Sequence, residues 1–411
     1  AMVWQLTPDA DVYFLCDEKA GRISARRILI ATGAQERPVP IPGWTLPGVM
    51  GAGAMDVLFK SSAMVPGGKV VLAGTGPLLY LVTCHLAECG VDVILNPSAS
   101  HFAFGKHETR KRFVLEGSRS FGVSYVYANL VGNEAGRAIY DGGALIASSG
   151  DLLAAGPRFG FHDTDLTIAD VDVDLTRTRR AGIHAMPVDV SDDVHDRIAR
   201  IGGILAPPST HRTTVAQAPA ESETDEFTQA VALALFDYMR KSRSHGFVVS
   251  MSGGADSSAT ACLVRCMVER AIAALGVDGF HQKLSYLSRI HQVSGADAAM
   301  QQLFTGVYQA TRNSSETTRA AAEAVTTGVG GVFHHLDVDS IVAQYTSIVE
   351  QAIGRQLDWD GDDIALQNIQ ARTRAPSVWM FANLRNALLL STSNRSEAAV
   401  GYATMDGDTS G

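Results

Sequence analysis

The sequence lacks any apolar run approaching the roughly 18 residues that a membrane-crossing helix needs. Its first residues, AMVWQLTPDADVYF, carry neither the basic flank nor the apolar stretch of a secretory signal, so no membrane association is expected. Cysteine is scarce: Cys16, Cys84, Cys89, Cys262 and Cys266 are the only five, and no two form a CxxC pair. Few, scattered thiols argue against a disulfide framework and fit a reducing, cytoplasmic setting. A basic surplus is also missing. The formal charge of −9 argues against a general nucleic-acid binder. Charged residues make up 19% against 46% hydrophobic, which leaves apolar material for several cores and excludes a wholly disordered chain. Proline is sparse beside glycine, 14 against 39, a balance that suits α/β folds with tight strand-to-helix turns. The final run, YATMDGDTSG, contains no closing helix or strand and reads as cut.

What is present points to two or three domains in 411 residues. Residues 3–31 read as short β runs, with a turn at Lys19-Ala20-Gly21, leading to Ala31-Thr32-Gly33 and a Pro-rich loop. A β-α-β unit is predicted over 69–95, with strands at 69–73 and 91–95 around a helix at 78–88. A helix is predicted over 108–121, stopped by Gly122, and alternating strands from 123 to about 175. The polar, Pro/Ser/Thr-rich stretch near 206–225 reads as a linker. Beyond it helices (226–241, 257–275, 315–327, 340–353) alternate with strands (246–251, 302–309, 331–338), the rhythm of a parallel sheet wrapped by helices.

The string from Phe247 to Ser258, FVVSMSGGADSS, combines a strand, a Gly-rich turn and a helix start. Glycines let the backbone turn sharply and bring N–H groups to one point, and the following helix adds its positive dipole end, so the turn can cradle an anion. Serine hydroxyls can add hydrogen bonds to phosphate, and Asp256 can hold magnesium. No lysine follows the glycines, which sets the turn apart from the Walker sequence. A solvated turn with an Asp/Ser cap is the bland alternative.

The string resembles the signature of ATP pyrophosphatases, which cleave ATP between its α- and β-phosphates. Later blocks, Tyr308–Ser315 (YQATRNSS), Leu366–Arg374 (LQNIQARTR), Ser391–Glu397 (STSNRSE) and Gly401–Asp408 (GYATMDGD), are similar to the ordered blocks of glutamine-dependent NAD synthetases. The resemblance implies that ATP contacts Ser250, Ser252, Gly253, Gly254, Asp256, Ser257 and Thr392. It implies Mg2+ on Asp256 and Glu397, and deamido-NAD against Asn368, Arg372, Tyr402, Thr404 and Met405. Taken alone, Arg372 reads more readily as a surface ion-pair residue; within the block the binding reading takes precedence. The implied reaction is amidation of deamido-NAD through an adenylated nicotinate carboxylate, by an enzyme that assembles as a homo-oligomer.

Residues 94–175 resemble the later half of the nitrilase-like glutaminase domain of the same synthetases, with Ser100 and Lys106 at positions that contact glutamine. That family's cysteine nucleophile lies upstream of the Asn-Pro-Ser-Ala-Ser block, where this chain has Val70–Thr75 and no cysteine. Cys84 and Cys89 fall on the predicted helix 78–88 and its end and read as inert thiols. The chain is therefore expected not to hydrolyse glutamine. The N-terminal Arg27–Ala34 with Glu36-Arg37-Pro38 resembles FAD-containing oxidoreductases of the amine and opine oxidase type, which implies cofactor contacts at Thr32, Gly33, Gly74 and Gly76. The loop Gly74-Thr75-Gly76 is a partial dinucleotide fingerprint, with Leu79 at the third glycine position. The family's first glycine-rich loop lies upstream of the Ala-Thr-Gly turn, so a structural remnant stands beside FAD binding as the reading of this segment. Together these resemblances imply an α/β chimera joined near Gly90–Leu95. It would comprise a partial dinucleotide-binding, Rossmann-like domain (1–93), a partial nitrilase-like α/β sandwich (94–204), a linker (205–225) and a synthetase domain (226–411).

Overall fold

A computed structural model describes residues 2–6, 11–16, 19–24, 61, 92–134, 138–183, 222–393, 396 and 399. The chain divides into two compact units, Ala1–Val65 with Gly76–His85, and Pro66–Thr75 with Leu86–Gly411. In the first unit, β1 (Met2–Leu6), β2 (Asp11–Cys16) and β3 (Lys19–Ser24) form an antiparallel meander. Cys16 pairs with Lys19, so Lys19-Ala20-Gly21, predicted as a turn, lies inside β3. The strand and helix predicted at 69–88 lie outside the described residues.

In the second unit, β4 (Val93–Ser98), α1 (Lys106–Phe121), β5 (Ser124–Asn129), β8 (Leu145–Ser148) and β9 (Asp151–Ala155) build a mixed layer, with β6 (Val131–Glu134) and β7 (Ala138–Asp141) as a separate hairpin. The sheet order is β4-β5-β8-β9, parallel only between β4 and β5. Gly122 ends α1 as predicted, in a left-handed conformation (φ 57°) that turns its N–H back to the carbonyls of Ser118 and Arg119. Ile94, Val114, Val123, Tyr125, Leu145 and Ala147 form the core of this layer.

The strands predicted to run to about residue 175 stop at Ala155, and Val173–Ile183 is a helix, α2. The Asp172 carboxylate accepts the Leu175 N–H at 2.9 Å and starts the helix. Arg177 and Arg180 then both reach Asp92. Such tertiary anchoring overrides the strand-like alternation of the segment.

The remainder runs α3 (Glu223–Ser242), β10 (Phe247–Ser250), α4 (Ala255–Lys283), a 3-10 turn (Ile290–Gln292), α5 (Ala296–Leu303), β11 (Phe304–Ala310), α6 (Glu316–Gly328), β12 (Val332–Asp337), α7 (Asp339–Ile353), α8 (Asp363–Arg385) and β13 (Leu388–Leu390). Helix α3 begins at Glu223, three residues inside the predicted linker. Ser222 caps it by accepting the Asp225 N–H at 3.1 Å, and the acidic first turn of Glu223, Asp225 and Glu226 favours the positive end of the dipole. The predicted helix 257–275 is the first part of α4, which breaks at Gly276 (φ 68°, ψ 169°) before continuing to Lys283. Gln302 and Leu303, predicted as strand, finish α5. Helix α8 was not anticipated, because Pro376 lies inside it.

All four strands β12-β11-β10-β13 are parallel, which confirms the α/β class read from the sequence. One face of this sheet packs Val249, Met251 and Tyr308 against Ala261 and Val264 of α4 and Ala322 of α6. The other packs Val248 and Val307 against Val378 and Ala382 of α8. Among the described residues no helix is long and apolar enough to cross a membrane.

Candidate functional site

The order β12-β11-β10-β13 places the first and last of these strands side by side. Successive crossovers from β10 run one way, and the last connection returns to its other side. In parallel α/β sheets such a reversal opens a crevice at the carboxyl ends of the strands on either side of it, here β10 and β13, where ligands settle. Val249 pairs with Leu390, so the residues after β10 and those after β13 leave the sheet next to each other. The predicted loop Ser250–Ser257 and the predicted Thr392 therefore flank one crevice, although well over a hundred residues separate them in the chain.

The loop is shaped by backbone geometry. Met251 N–H still donates to the Val307 carbonyl at 2.8 Å. Gly253 then takes φ 78°, and a Cβ there would collide with the carbonyl oxygen of Thr318 in the first turn of α6. Only glycine combines that dihedral with so close an approach. Gly254 is the N-cap of α4 and, having no side chain, leaves the first-turn N–H groups of that helix without a side-chain cap. Ser252 Oγ lies 3.2 Å from Ser257 Oγ and accepts the Gly254 N–H at 3.2 Å, and Ser257 is buried. Asp256, in the first turn of α4, is exposed. Uncapped N–H groups, hydroxyls and a helix N-terminus in one turn are the groups that can cradle an oxyanion.

Helix α8 carries Asn368, half-buried, and Arg372, exposed, one turn apart on the same side. Its Gln370 Oε1 accepts from Asn313 Nδ2 at 3.1 Å and Thr311 Oγ1 at 3.4 Å, tying the helix to the segment after β11. Arg312, in that same segment, forks onto Asp339. Tyr402, Thr404, Met405 and Glu397 lie outside the described residues, as do Thr32, Gly33, Gly74 and Gly76. Among the described residues no three His, Cys, Asp or Glu side chains gather as a metal cluster.

Ser100 and Lys106 belong to a second polar centre. Asn129 grips Ser100 from both sides, accepting its N–H at 2.8 Å and donating to its carbonyl at 3.0 Å. Lys106 Nζ is 3.4 Å from His101 Nδ1, and partial burial followed by the nearby Arg110 charge lowers its pKa. Beside them Asp141, fully buried, binds Arg110 at 2.7 Å and Arg158 at 3.0 Å. Arg158 also pairs with Glu226 of α3 at 2.7 Å, linking this layer to the helices of the parallel sheet. A second tie is Asp237 of α3, which accepts the Asn133 N–H at 2.7 Å and pairs with Arg240 and Lys241. Burial alone would raise the Asp237 pKa, yet the Lys241 and Asn133 hydrogen bonds and Arg240 hold it below the usual carboxylate range.

Asp141, Arg110, Arg158 and Gln309 escaped the sequence reading. Gln309 stood inside the YQATRNSS block, but nothing in its spacing marked it. The arginines and Asp141 come from distant elements and leave no local pattern.

Residues 227–411 match the family model described as NAD synthase. A glutamine-dependent NAD(+) synthetase of Oryza sativa subsp. indica is 32% identical over 343 residues, covering 78% of this chain and 46% of that relative. The solved glutamine-dependent NAD(+) synthetase of Cytophaga hutchinsonii is 40% identical, with a TM-score of 0.61 over 79% of this chain and 49% of its own. The Acinetobacter baumannii enzyme, solved with ADP, shares the fold at 20% identity and a TM-score of 0.59, covering the whole of this chain and 62% of its own. The chain spans about half the length of the curated relatives it matches.

Proposed function

We propose that the parallel-sheet region uses ATP to amidate deamido-NAD. A nicotinate carboxylate oxygen attacks the α-phosphorus of ATP and pyrophosphate leaves. Ammonia then attacks the resulting acyl carbon, loses a proton, and AMP departs. What supports this reading above all is the position of the Ser250–Ser257 cradle beside Thr392 at the crevice where the strand order reverses.

In this assignment the phosphates take N–H groups of Gly253, Gly254 and the first turn of α4, with Ser252, Ser257 and Thr392 supplying hydroxyls, while Ser250, whose hydroxyl donates to Gln309, faces the rest of the nucleotide from the root of the loop. Asn368 and Arg372 offer an amide and a guanidinium to deamido-NAD on the side of the sheet that α8 covers, with Tyr402, Thr404 and Met405 completing its contacts. Magnesium keeps several waters and takes one or two carboxylates plus substrate phosphates. The exposed Asp256 beside the cradle fits that demand, with Glu397 as the second ligand. When bound, the ion would neutralise charge on the polyphosphate. The protein's own part is to fix the phosphates and hold the carboxylate in line.

The ammonia in this reading is free ammonia. Ser100 and Lys106 would mark a glutamine position, but the stretch Val70–Thr75 supplies no thiol nucleophile. Supplied with ATP, deamido-NAD and ammonium, the chain should release pyrophosphate and form NAD, and Asp256→Ala should abolish both. Glutamine in place of ammonium should give neither NAD nor glutamate. Pyrophosphate release unaffected by Asp256→Ala would refute the assignment.

A homo-oligomer is supported by helix α7, none of whose residues is buried. Ile341, Tyr345, Ile348, Val349 and Ile353 lie along it at helical spacing and are exposed. Light scattering of the purified chain should report a dimer or larger, shifting toward monomer in Ile348→Asp. For residues 1–95 the flavoprotein resemblance is tested by bound-flavin absorbance in the same preparation.

A further inference from the structure

Gln309, near the end of β11, is 4% exposed and uses only half of its amide. Its Oε1 accepts a hydrogen bond from Ser250 Oγ at 3.0 Å, while its buried Nε2 has no partner. Unsatisfied buried donors cost about 1–3 kcal/mol and call for an explanation in a native structure.

Position supplies one. Ser250 pairs with Val307, so Gln309, two residues on, lies past the last rung of the β10–β11 ladder at the carboxyl edge of the sheet. Strand alternation puts Gln309 on the same face as Val307, which packs on α8. The cradle opens into α4, which packs on the opposite face through Ala261 and Val264. Phosphates held at the start of α4 leave the rest of a nucleotide to cross the carboxyl edge toward α8. Gln309 meets it there, at the end of the loop away from the phosphates.

We infer that Gln309 is a nucleotide-contacting residue, whose Nε2 donates a hydrogen bond to an acceptor on the base or ribose of ATP while its Oε1 holds Ser250 at the root of the loop. This rests on the nucleotide reading of the cradle. Gln309 would then contribute to recognition of the nucleoside and not of the polyphosphate.

The test is calorimetric binding of ATP and of inorganic pyrophosphate, each with magnesium, to the chain and to Gln309→Glu and Gln309→Met. Glutamate keeps an acceptor for Ser250 and loses the donor; methionine loses both at similar size, and thermal melts establish that each variant is folded. Both variants should weaken ATP about tenfold, as expected for one lost hydrogen bond to a buried donor, and leave pyrophosphate unchanged. ATP affinity equal to wild type in both variants, or equal loss of ATP and pyrophosphate, would overturn the role of Gln309. Failure of the unmodified chain to bind either ligand would instead refute the nucleotide reading on which it stands.

Discussion

Around Gly253, polar groups are placed by the conformation of a few consecutive residues. Around Asp141, they are placed by side chains from separate elements, Arg110 on α1, Asn129 on β5 and Arg158 after β9. The first arrangement gathers backbone N–H groups at an open edge and leaves Asp256 exposed. The second buries a carboxylate completely and surrounds it with two guanidiniums. The contrast separates backbone N–H groups left open at a sheet edge from a buried carboxylate already engaged by side chains of three elements. It also separates chemistry carried by local backbone from architecture carried by long-range pairs.

The largest expected effect comes from breaking the buried cluster. Asp141→Ala takes the carboxylate from buried Arg110 and leaves Arg158 with Glu226 alone, and removing one partner of a buried pair costs about 3–5 kcal/mol. Urea unfolding should register that loss while ATP affinity in the surviving folded fraction stays at the wild-type value. A parallel fall in ATP affinity would show that the two regions are not independent.

Gly253→Ala attacks the other side. Its left-handed dihedral and the Thr318 carbonyl leave no room for a methyl group, and rearranging the loop should weaken ATP by about a hundredfold or more through strain of about 1–3 kcal/mol and lost N–H contacts. Calorimetry that found wild-type affinity would remove the case for a backbone-built cradle.

Asp237 offers a smaller, pH-dependent break in the seam between the regions. Its folded pKa lies below the ordinary carboxylate value of 3.8, so its contribution is present above about pH 4 and is lost as pH falls through the folded value. Arg240 and Lys241 are partly exposed, which screens the pairs, and Asp237→Asn should cost about 1–2 kcal/mol at pH 7. The acid limb of a stability–pH curve should be flatter in that variant. Thr392→Ala should have the smallest effect, about three- to fivefold in ATP affinity for one hydroxyl, with no change in melting temperature.

The same contrast explains what the sequence disclosed. The strand, the glycine turn and the first part of α4 are written in adjacent residues, and β10, β11 and β12 were placed within a few positions of their observed bounds. Gly276 ends the first stretch of α4 where the sequence predicted a stop. Helix α8 was missed because Pro376 argues locally against a helix. Its apolar contacts, Val378 and Ala382 against Val248 and Val307, appear only after the chain has folded back. Helix α2 was hidden for a related reason: it is fastened by Asp92, more than eighty residues upstream. Thr392 was named from a block resemblance, but its adjacency to the cradle depends on strand order, which no spacing in the sequence reveals.

Strand order has a further consequence during synthesis. The cradle residues leave the ribosome before β13 and Thr392, their neighbours across the crevice, which follow after about 140 more residues, roughly 7–28 s later at 5–20 residues per second. Throughout that interval β10 has one flank unpaired, and a nascent chain holds the anion cradle without the wall that completes it. On the proposed nucleotide reading, capture would be deferred until the last described strand has docked, so that ligand binding would report the completion of the sheet and favour chains that finish it.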